Sequence, residues 1–434
     1  MSRIIKIRDF GWIVFFVLVS SLFLWRKYKL SMDLPIHRDE IEYISFSFLW
    51  DFFDKEGKND LIWKEQWTYD QPHLYHFVLG WFLESFYFKG VDLEKGLENC
   101  GYKVLRRDGG FGFEEDDLIN SMILGDINVN ELANDCRIEI LRLSRLMSVF
   151  FWFLVFVLCL LIAKKVGGVG GVILTLLLFF VDESYVFEWP LRAASNSLLV
   201  FLFVISAMVY LTMKNNKRFY YLKWVILSVV AGMAASVKVN GIVLIVILNF
   251  MLSRFFFSNR KESFWNWIIS ASLFNLIGFG VIKWLNPSYY DRFIRNFLFA
   301  YVFRHDIAYG QSLGFSESVF QSGIFGKFII FGKHIFFGWG RYAFGWQFFE
   351  WLSLVIFLVI IACCVIVLMK MKTIERNEKQ NGLVNIFLFC ILVILSCFLY
   401  IPLDWQRYYL LPRLMSYILV FLLFRLKSYL IKKA

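Results

Sequence analysis

Charge is scarce in this chain. Of 434 residues only 19% are charged, while 59% are hydrophobic and 20% aromatic. A soluble domain carries more charge and shorter apolar runs, so that class is excluded. Histidine is scarce too, at five residues, and no CxxC or His-rich cluster occurs. The spacing of a tight transition-metal site is therefore missing. A divalent cation held by carboxylates, Mg²⁺ or Mn²⁺, stays open. Five of the seven cysteines, Cys159, Cys363, Cys364, Cys390 and Cys397, fall in apolar runs and read as small buried hydrophobes. Cys100 and Cys136 share one long polar segment. They can pair if it faces an oxidising compartment, but sequence does not give proximity. The chain has no internal repeat and no low-complexity tract. No small-residue cleavage site follows the apolar run 10–25; Arg26, Lys27, Tyr28 and Lys29 come next. The run is expected to be a retained first span, not a signal peptide.

What is present is a series of apolar runs near the ~20 residues that cross a bilayer core. Inside lipid such runs must be helical, because the backbone has no other partner. Spans are expected near 10–25, 143–163, 167–181, 193–213, 221–237, 239–257, 264–283, 349–370, 384–401 and 412–425, an all-α polytopic membrane protein. The formal charge is +11. Its basic residues concentrate in alternate short segments: 20 Lys and Arg fall at 1–9, 164–165, 214–223, 254–261, 370–379 and 425–434. The short turns on the other side hold only Arg192, Lys238, Arg407 and Arg413. That asymmetry puts both termini in the cytoplasm and explains the charge without nucleic acid.

Two long segments then face outward. The first, 26–140, carries 23 acidic against 13 basic residues. Within it 38–53 and 72–88 are amphipathic at helical spacing and read as helices lying in the interface. Residues 91–137 form an acidic insert without periodicity. The second segment, 284–348, is aromatic and Gly-rich, with Arg292, Arg295, Arg304, Lys327, Lys333 and Arg341. It suits either a surface for a lipid tail and phosphate or ordinary interfacial packing.

The chemistry-bearing candidates gather on that outer side. Asp39 and Glu40 lie in Pro35-Ile-His-Arg-Asp-Glu-Ile-Glu-Tyr43, at the lipid–water boundary. A partly desolvated carboxylate there can be tuned as a general base; the plainer reading is a helix cap. Tyr69-Asp-Gln-Pro-His-Leu-Tyr75 places Asp70, Gln71, His73 and Tyr75 beside an apolar helix. Arg142 and Arg145 open the second span, Arg192 precedes the fourth, and Lys238 interrupts the turn between the fifth and sixth. Arg407 and Tyr408 sit in Asp404-Trp-Gln-Arg-Tyr-Tyr-Leu-Leu-Pro412. Each cation alone can be a snorkelling side chain. Together they offer the fixed positive charge that a phosphate leaving group needs.

These elements resemble those of the polytopic glycosyltransferases of the C superfamily (GT-C), above all bacterial relatives of protein O-mannosyltransferases and the aminoarabinose transferases of lipid A. The family's Asp-Glu pair in the first outer loop is similar to Asp39-Glu40, with Tyr43 behind. Its Asp/Lys-x-Pro-Pro-Leu-Tyr element is similar to Asp70-Gln-Pro-His-Leu-Tyr75. Its Arg-Leu-Pro-Ser is similar to Arg145-Leu-Met-Ser148, and its late Arg-Tyr-x-Leu-Pro to Arg407-Tyr-Tyr-Leu-Leu-Pro412. A Lys between spans five and six matches Lys238. The chain departs at His73, where the family has a second Pro, at Gln71, where some relatives have a phosphate-binding Lys, and at Asn196, where an Asp is common. The insert 91–137 has no counterpart.

The resemblance implies a single membrane glycosyltransferase-like domain over 1–434 that moves a sugar from a polyprenyl- or dolichyl-phosphate carrier to an acceptor hydroxyl on a protein, lipid or glycan. It implies Asp39 as general base, with Glu40 positioning the acceptor or sugar. Arg145, Arg407, Lys238 and Arg142 would meet the donor phosphate. Tyr43, Asp70, Gln71, His73, Tyr75, Arg192 and Tyr408 would line the substrates. A transporter or flippase of an anionic lipid would use similar cations, but no ionisable series lies at mid-membrane and no matched broken helices occur. A membrane scaffold is the third reading. Asp39, Arg145 and Arg407 gathered on one outward cavity continuous with lipid would favour the enzyme, a cavity open to both sides transport, and scatter of these residues the scaffold.

Overall fold

The structure is a computed structural model. It describes residues 7–34, 37–51, 53–54, 63, 72–100, 102, 136–181, 189–212, 217–258, 264–300, 302, 323–336, 346–370, 378–400 and 409–431. Among them there are helices and turns and no strand. The first helix, α1 (Ile7–Asp33), runs past the expected end of the first span, through Arg26, Lys27 and Lys29. Lys27 is buried there, with its ammonium 5.8 Å from the Phe23 ring. The first outer segment supplies α2 (Arg38–Ser45), α3 (Leu74–Leu83) and α4 (Leu93–Asn99). Both expected amphipathic stretches are thus helical at their start. Asp92 caps α4 by accepting from the Lys95 N–H.

The next helix, α5 (Cys136–Val181), covers two expected spans. The chain breaks at Gly168, whose φ of 63° and ψ of −144° lie outside helical space. An L side chain strongly disfavours that conformation, which explains glycine there. The break is a reversal. A Cβ at Gly171 would lie 2.7 Å from the Ala163 carbonyl, and the Phe156 and Phe179 rings are 5.2 Å apart. The halves 136–167 and 169–181 therefore pack antiparallel, with α1 against them: Phe23 stacks on Phe156 at 4.0 Å.

The remaining helices are α6 (Asn196–Thr212), α7 (Lys217–Val237), α8 (Ile242–Ser258), α9 (Phe264–Leu285), α10 (Gly323–His334), α11 (Trp346–Met369), α12 (Glu378–Tyr400) and α13 (Leu410–Ile431). Helices thus occupy the positions of the expected spans. Four helical stretches among the described residues, Cys136–Phe180, Val239–Phe257, Phe264–Leu285 and Glu350–Met369, are long and apolar enough to cross a membrane. These are the helices of an integral membrane protein. Small residues let α7 and α9 touch: a Cβ at Gly232 would fall 2.6 Å from the Gly278 carbonyl. Leu276, Leu399 and Phe424 stay exposed, as lipid-facing side chains do.

Cys100, after α4, and Cys136, at the start of α5, form a disulfide with Cα atoms 5.6 Å apart. It closes a loop across a sequence separation of 36 residues. The chain-entropy relation gives such a closure about 3–4 kcal/mol. Reduction and Cys136→Ser are each expected to lower the melting temperature of the detergent-solubilised protein by the same amount. No shift from either would mean that the bridge is not formed.

Candidate functional site

Glu40 is the centre of a buried polar assembly at one end of the helices. It is the third residue of α2, and its Oε2 accepts the His37 N–H at 3.0 Å, the backward half of a capping box. The cap is only part of its work. Arg145, in the first turn of the expected second span, donates from Nε to Oε1 and from Nη2 to Oε2, both at 2.8 Å. The pair is two-pronged, and neither side chain has any exposure. Oε1 also accepts the Ala193 N–H at 2.9 Å, and Arg192 stands 3.4 Å from Oε2. The Nη1 of Arg145 donates to the Ser31 and Leu34 carbonyls at 2.5 and 2.9 Å. Those carbonyls end α1, where a helix has acceptors without intrahelical partners. One ion pair thus ties α1, α2, α5 and the turn before α6 together.

Burial alone would raise the Glu40 pKa. The Arg145 charge and hydrogen bonds, the Arg192 charge and the Ala193 N–H outweigh it and hold the carboxyl at about 2. Arg145, expected at the donor phosphate, is in this arrangement turned to Glu40 and two carbonyls.

The assembly continues through neighbouring residues. The Tyr43 hydroxyl is 2.7 Å from Ser195 Oγ, and its ring meets Tyr75 edge-on at 5.1 Å. The Tyr75 hydroxyl is 3.1 Å from Ser148 Oγ, and burial raises its pKa. Lys238, before α8, donates to Asn196 Oδ1 at 2.7 Å. The segment 192–196 therefore meets Glu40, Tyr43 and Lys238 through successive residues. The His73 N–H donates to Asn286 Oδ1 at 3.1 Å, and its Nε2 is 3.1 Å from Ser288 Oγ. Asn286 in turn donates to Ser236 Oγ at 3.1 Å. Arg142, one turn before Arg145, lines a cavity of about 520 Å³ with Tyr28, Lys29, Met32 and Asp33.

Of the sequence candidates, Glu40, Tyr43, His73, Tyr75, Arg145, Arg192 and Lys238 thus belong to one connected region, with Arg142 on its flank. Asp39 is placed on α2 beside Glu40, but its side chain lies outside the described ones. Asp70, Gln71, Arg407 and Tyr408 lie outside the described residues. In the second outer segment two of the cations have partners within the protein, and Arg304 and Arg341 lie outside the described residues. Lys327 donates to the Leu399 carbonyl at 2.9 Å, and Lys333 pairs with Glu350 at 3.6 Å. The fully buried Arg413 donates to the His334 carbonyl at 2.8 Å.

Sequence reasoning passed over His76. It lies three residues after His73, the spacing that stacks side chains on one helix face, and that spacing was the available signal. The two rings are 6.2 Å apart, and His76 also packs on Tyr43 at 5.5 Å. Burial, joined for His73 by the charge of its neighbour, lowers both pKa values to about 3. Neither Nδ1 has a hydrogen-bond partner among the described residues. Among those residues no group of three or more His, Cys, Asp or Glu side chains could hold a metal ion.

No family model matches the chain, and no curated protein matches it. Among solved structures it is similar to ArnT from Cupriavidus metallidurans bound to undecaprenyl phosphate, at 13% identity and a TM-score of 0.48. The alignment covers 95% of this chain and 60% of that one, so the chain spans less than two thirds of that protein's length. At this identity and score the likeness assigns no function, and the residues must carry the reading.

Breaking a buried ion pair strands a charge, at a typical cost of 3–5 kcal/mol, whereas replacing both members by apolar side chains is often neutral. Glu40→Met and Arg145→Met are each expected to unfold the protein at markedly lower temperature, by about 3–5 kcal/mol, and the double variant to recover most of it. Additive losses in thermal unfolding would sink that coupling.

Acid acts in the same direction through three groups. Glu40, held near 2 against an ordinary 4.5, contributes stability above pH 4.5 that is lost as pH falls towards 2. His73 and His76, near 3 against 6.5, stay neutral in the fold while the unfolded chain takes up protons below pH 6.5. The melting temperature should therefore fall steadily from pH 6.5 to 3, and a flat profile would contradict the burial of these groups.

Proposed function

We propose that this protein is a GT-C-type inverting glycosyltransferase that takes a sugar from a polyprenyl- or dolichyl-phosphate carrier. The acceptor is a hydroxyl on the outer face of the membrane. The observation that carries this reading is the buried Glu40–Arg145–Arg192 assembly. It fixes α2, and with it the backbone of Asp39, at the lipid-boundary end of a helical bundle. Cations contributed by α5, by the turn before α6 and by the turn before α8 lie around it. A buried ion pair is poor evidence of stabilisation for its own sake, since apolar replacements often serve as well. In this reading the pair serves to hold α2 in one fixed arrangement.

In the proposed step the acceptor hydroxyl gives its proton to the Asp39 carboxylate as its oxygen bonds to the anomeric carbon. The bond from that carbon to the phosphate oxygen breaks, and the electron pair leaves with the lipid phosphate. Attack from the opposite face inverts the configuration. Lys238, Arg192, Arg142 and Arg407 supply positive charge towards the departing phosphate. Glu40 and Arg145 act as positioning residues, because each is occupied by the other. Tyr43, Tyr75, His73, Asp70, Gln71 and Tyr408 shape the space for sugar and acceptor. The Cys100–Cys136 bridge fits an outer, oxidising compartment for this end of the molecule and cytoplasmic termini for the other.

The test is transfer in vitro. Purified protein is given a panel of radiolabelled polyprenyl-phosphate sugars and acceptor extracts, with and without chelator, and products are read by mass spectrometry. Asp39→Asn should fold and lose ~10²–10⁴-fold in rate. Near-full activity of that variant would remove Asp39 as the base. Facilitated movement of the carrier across vesicles, without transfer, would replace the reaction by transport.

A further inference from the structure

The opposite end of the bundle carries a second feature, which the transfer chemistry does not use. At the reversal in α5, Val166, Gly167, Gly168, Gly170, Gly171 and Leu174 form one wall of a cavity of about 550 Å³. Phe421, Phe424 and Arg425 of α13 form the other. The glycines leave the α5 wall without side chains, so the cavity opens beside lipid-exposed Val169, Ile173 and Phe424. Its polar corner is positive. The Nη1 of Arg425 donates to the Lys165 carbonyl at 2.8 Å and to the Val166 carbonyl. Lys164 and Lys165 stand exposed next to it in the chain. The Lys164 ammonium lies 4.9 Å from the Trp12 ring, and Lys165 donates to the Leu211 carbonyl at 2.9 Å. Among the described residues the cavity lining contains no carboxylate.

An apolar slot with the Arg425 guanidinium in its lining, and two exposed lysines adjoining its α5 wall in the chain, matches one occupant, a phospholipid of net negative charge. We infer that an anionic phospholipid binds here, its phosphate beside Arg425 and an acyl chain along Gly170 and Phe424. On the topology read from the basic segments this is the cytoplasmic leaflet. Cations near a membrane surface attract anionic headgroups in this way. The inference is independent of the glycosyl-transfer reading, because it uses none of the residues assigned to it.

Native mass spectrometry of the full-length protein in detergent tests it, with dioleoyl phosphatidylglycerol and dioleoyl phosphatidylcholine as probes. One well-placed cation corresponds to about a fivefold preference for phosphatidylglycerol, and that preference is expected. A Cβ at Gly170 meets nothing within 4 Å, so Gly170→Leu enters the slot with its Cβ unobstructed and should abolish the preference. A Cβ at Gly280, on α9, also meets nothing within 4 Å, so Gly280→Leu serves as the matched control and should keep it. Arg425→Gln should lose the preference without filling the slot. Equal binding of both lipids by the unaltered protein, an unchanged preference in Gly170→Leu, or equal loss in Gly280→Leu would each overturn the inference.

Discussion

One carboxylate determines how one end of this helical bundle is built. Glu40 accepts hydrogen bonds from the helix start that it caps, from Arg145 and from the Ala193 N–H, with Arg192 beside it. Taken out of water, such a charge is tolerable only because every lone pair is met. Arg145 carries the constraint further, to the carbonyls that finish α1. Removing either partner would leave the other charged and buried in four elements at once. The geometry of this end is therefore close to all-or-none, which suits a site where reacting groups must be held within a fraction of an ångström.

Around that fixed point the residues divide by occupation. Glu40, Arg145, Tyr43 and Tyr75 have their polar atoms engaged within the protein and set the frame. Lys238 reaches across to Asn196 and links the turn before α8 to the start of α6. Burial holds His73 and His76 neutral, and the Nδ1 of each faces no described partner. Buried polar atoms of that kind usually meet water or a ligand. They lie on the ring stack that joins α2 to α3.

The helices were legible because their signal is coarse: apolar runs of the right length leave the backbone no alternative. The reversal at Gly168 was legible as a gap between spans, although not as the tight hairpin that it is. Convergence of Glu40, Arg145, Arg192 and Lys238 was foreseeable from their shared end of the bundle. Their partners were not. Sequence gave no means of telling that Arg145 would be saturated by Glu40 and two carbonyls, since pairing across 105 positions is a tertiary fact. The same holds for Asn286 bonding to His73. By composition the cations of 284–348 suited a lipid-phosphate surface or interfacial packing equally, and the structure shows Lys327 on the Leu399 carbonyl and Lys333 paired with Glu350. Cys100 and Cys136 shared a segment, but only three-dimensional proximity could decide their pairing.

The hairpin in α5 couples its two legs. They are joined by a single non-helical residue, and the Ala163 carbonyl sits where a side chain on residue 171 would have to go. Neither leg can slide along its axis or rotate against the other without breaking that contact, so the pair moves as one rigid pin.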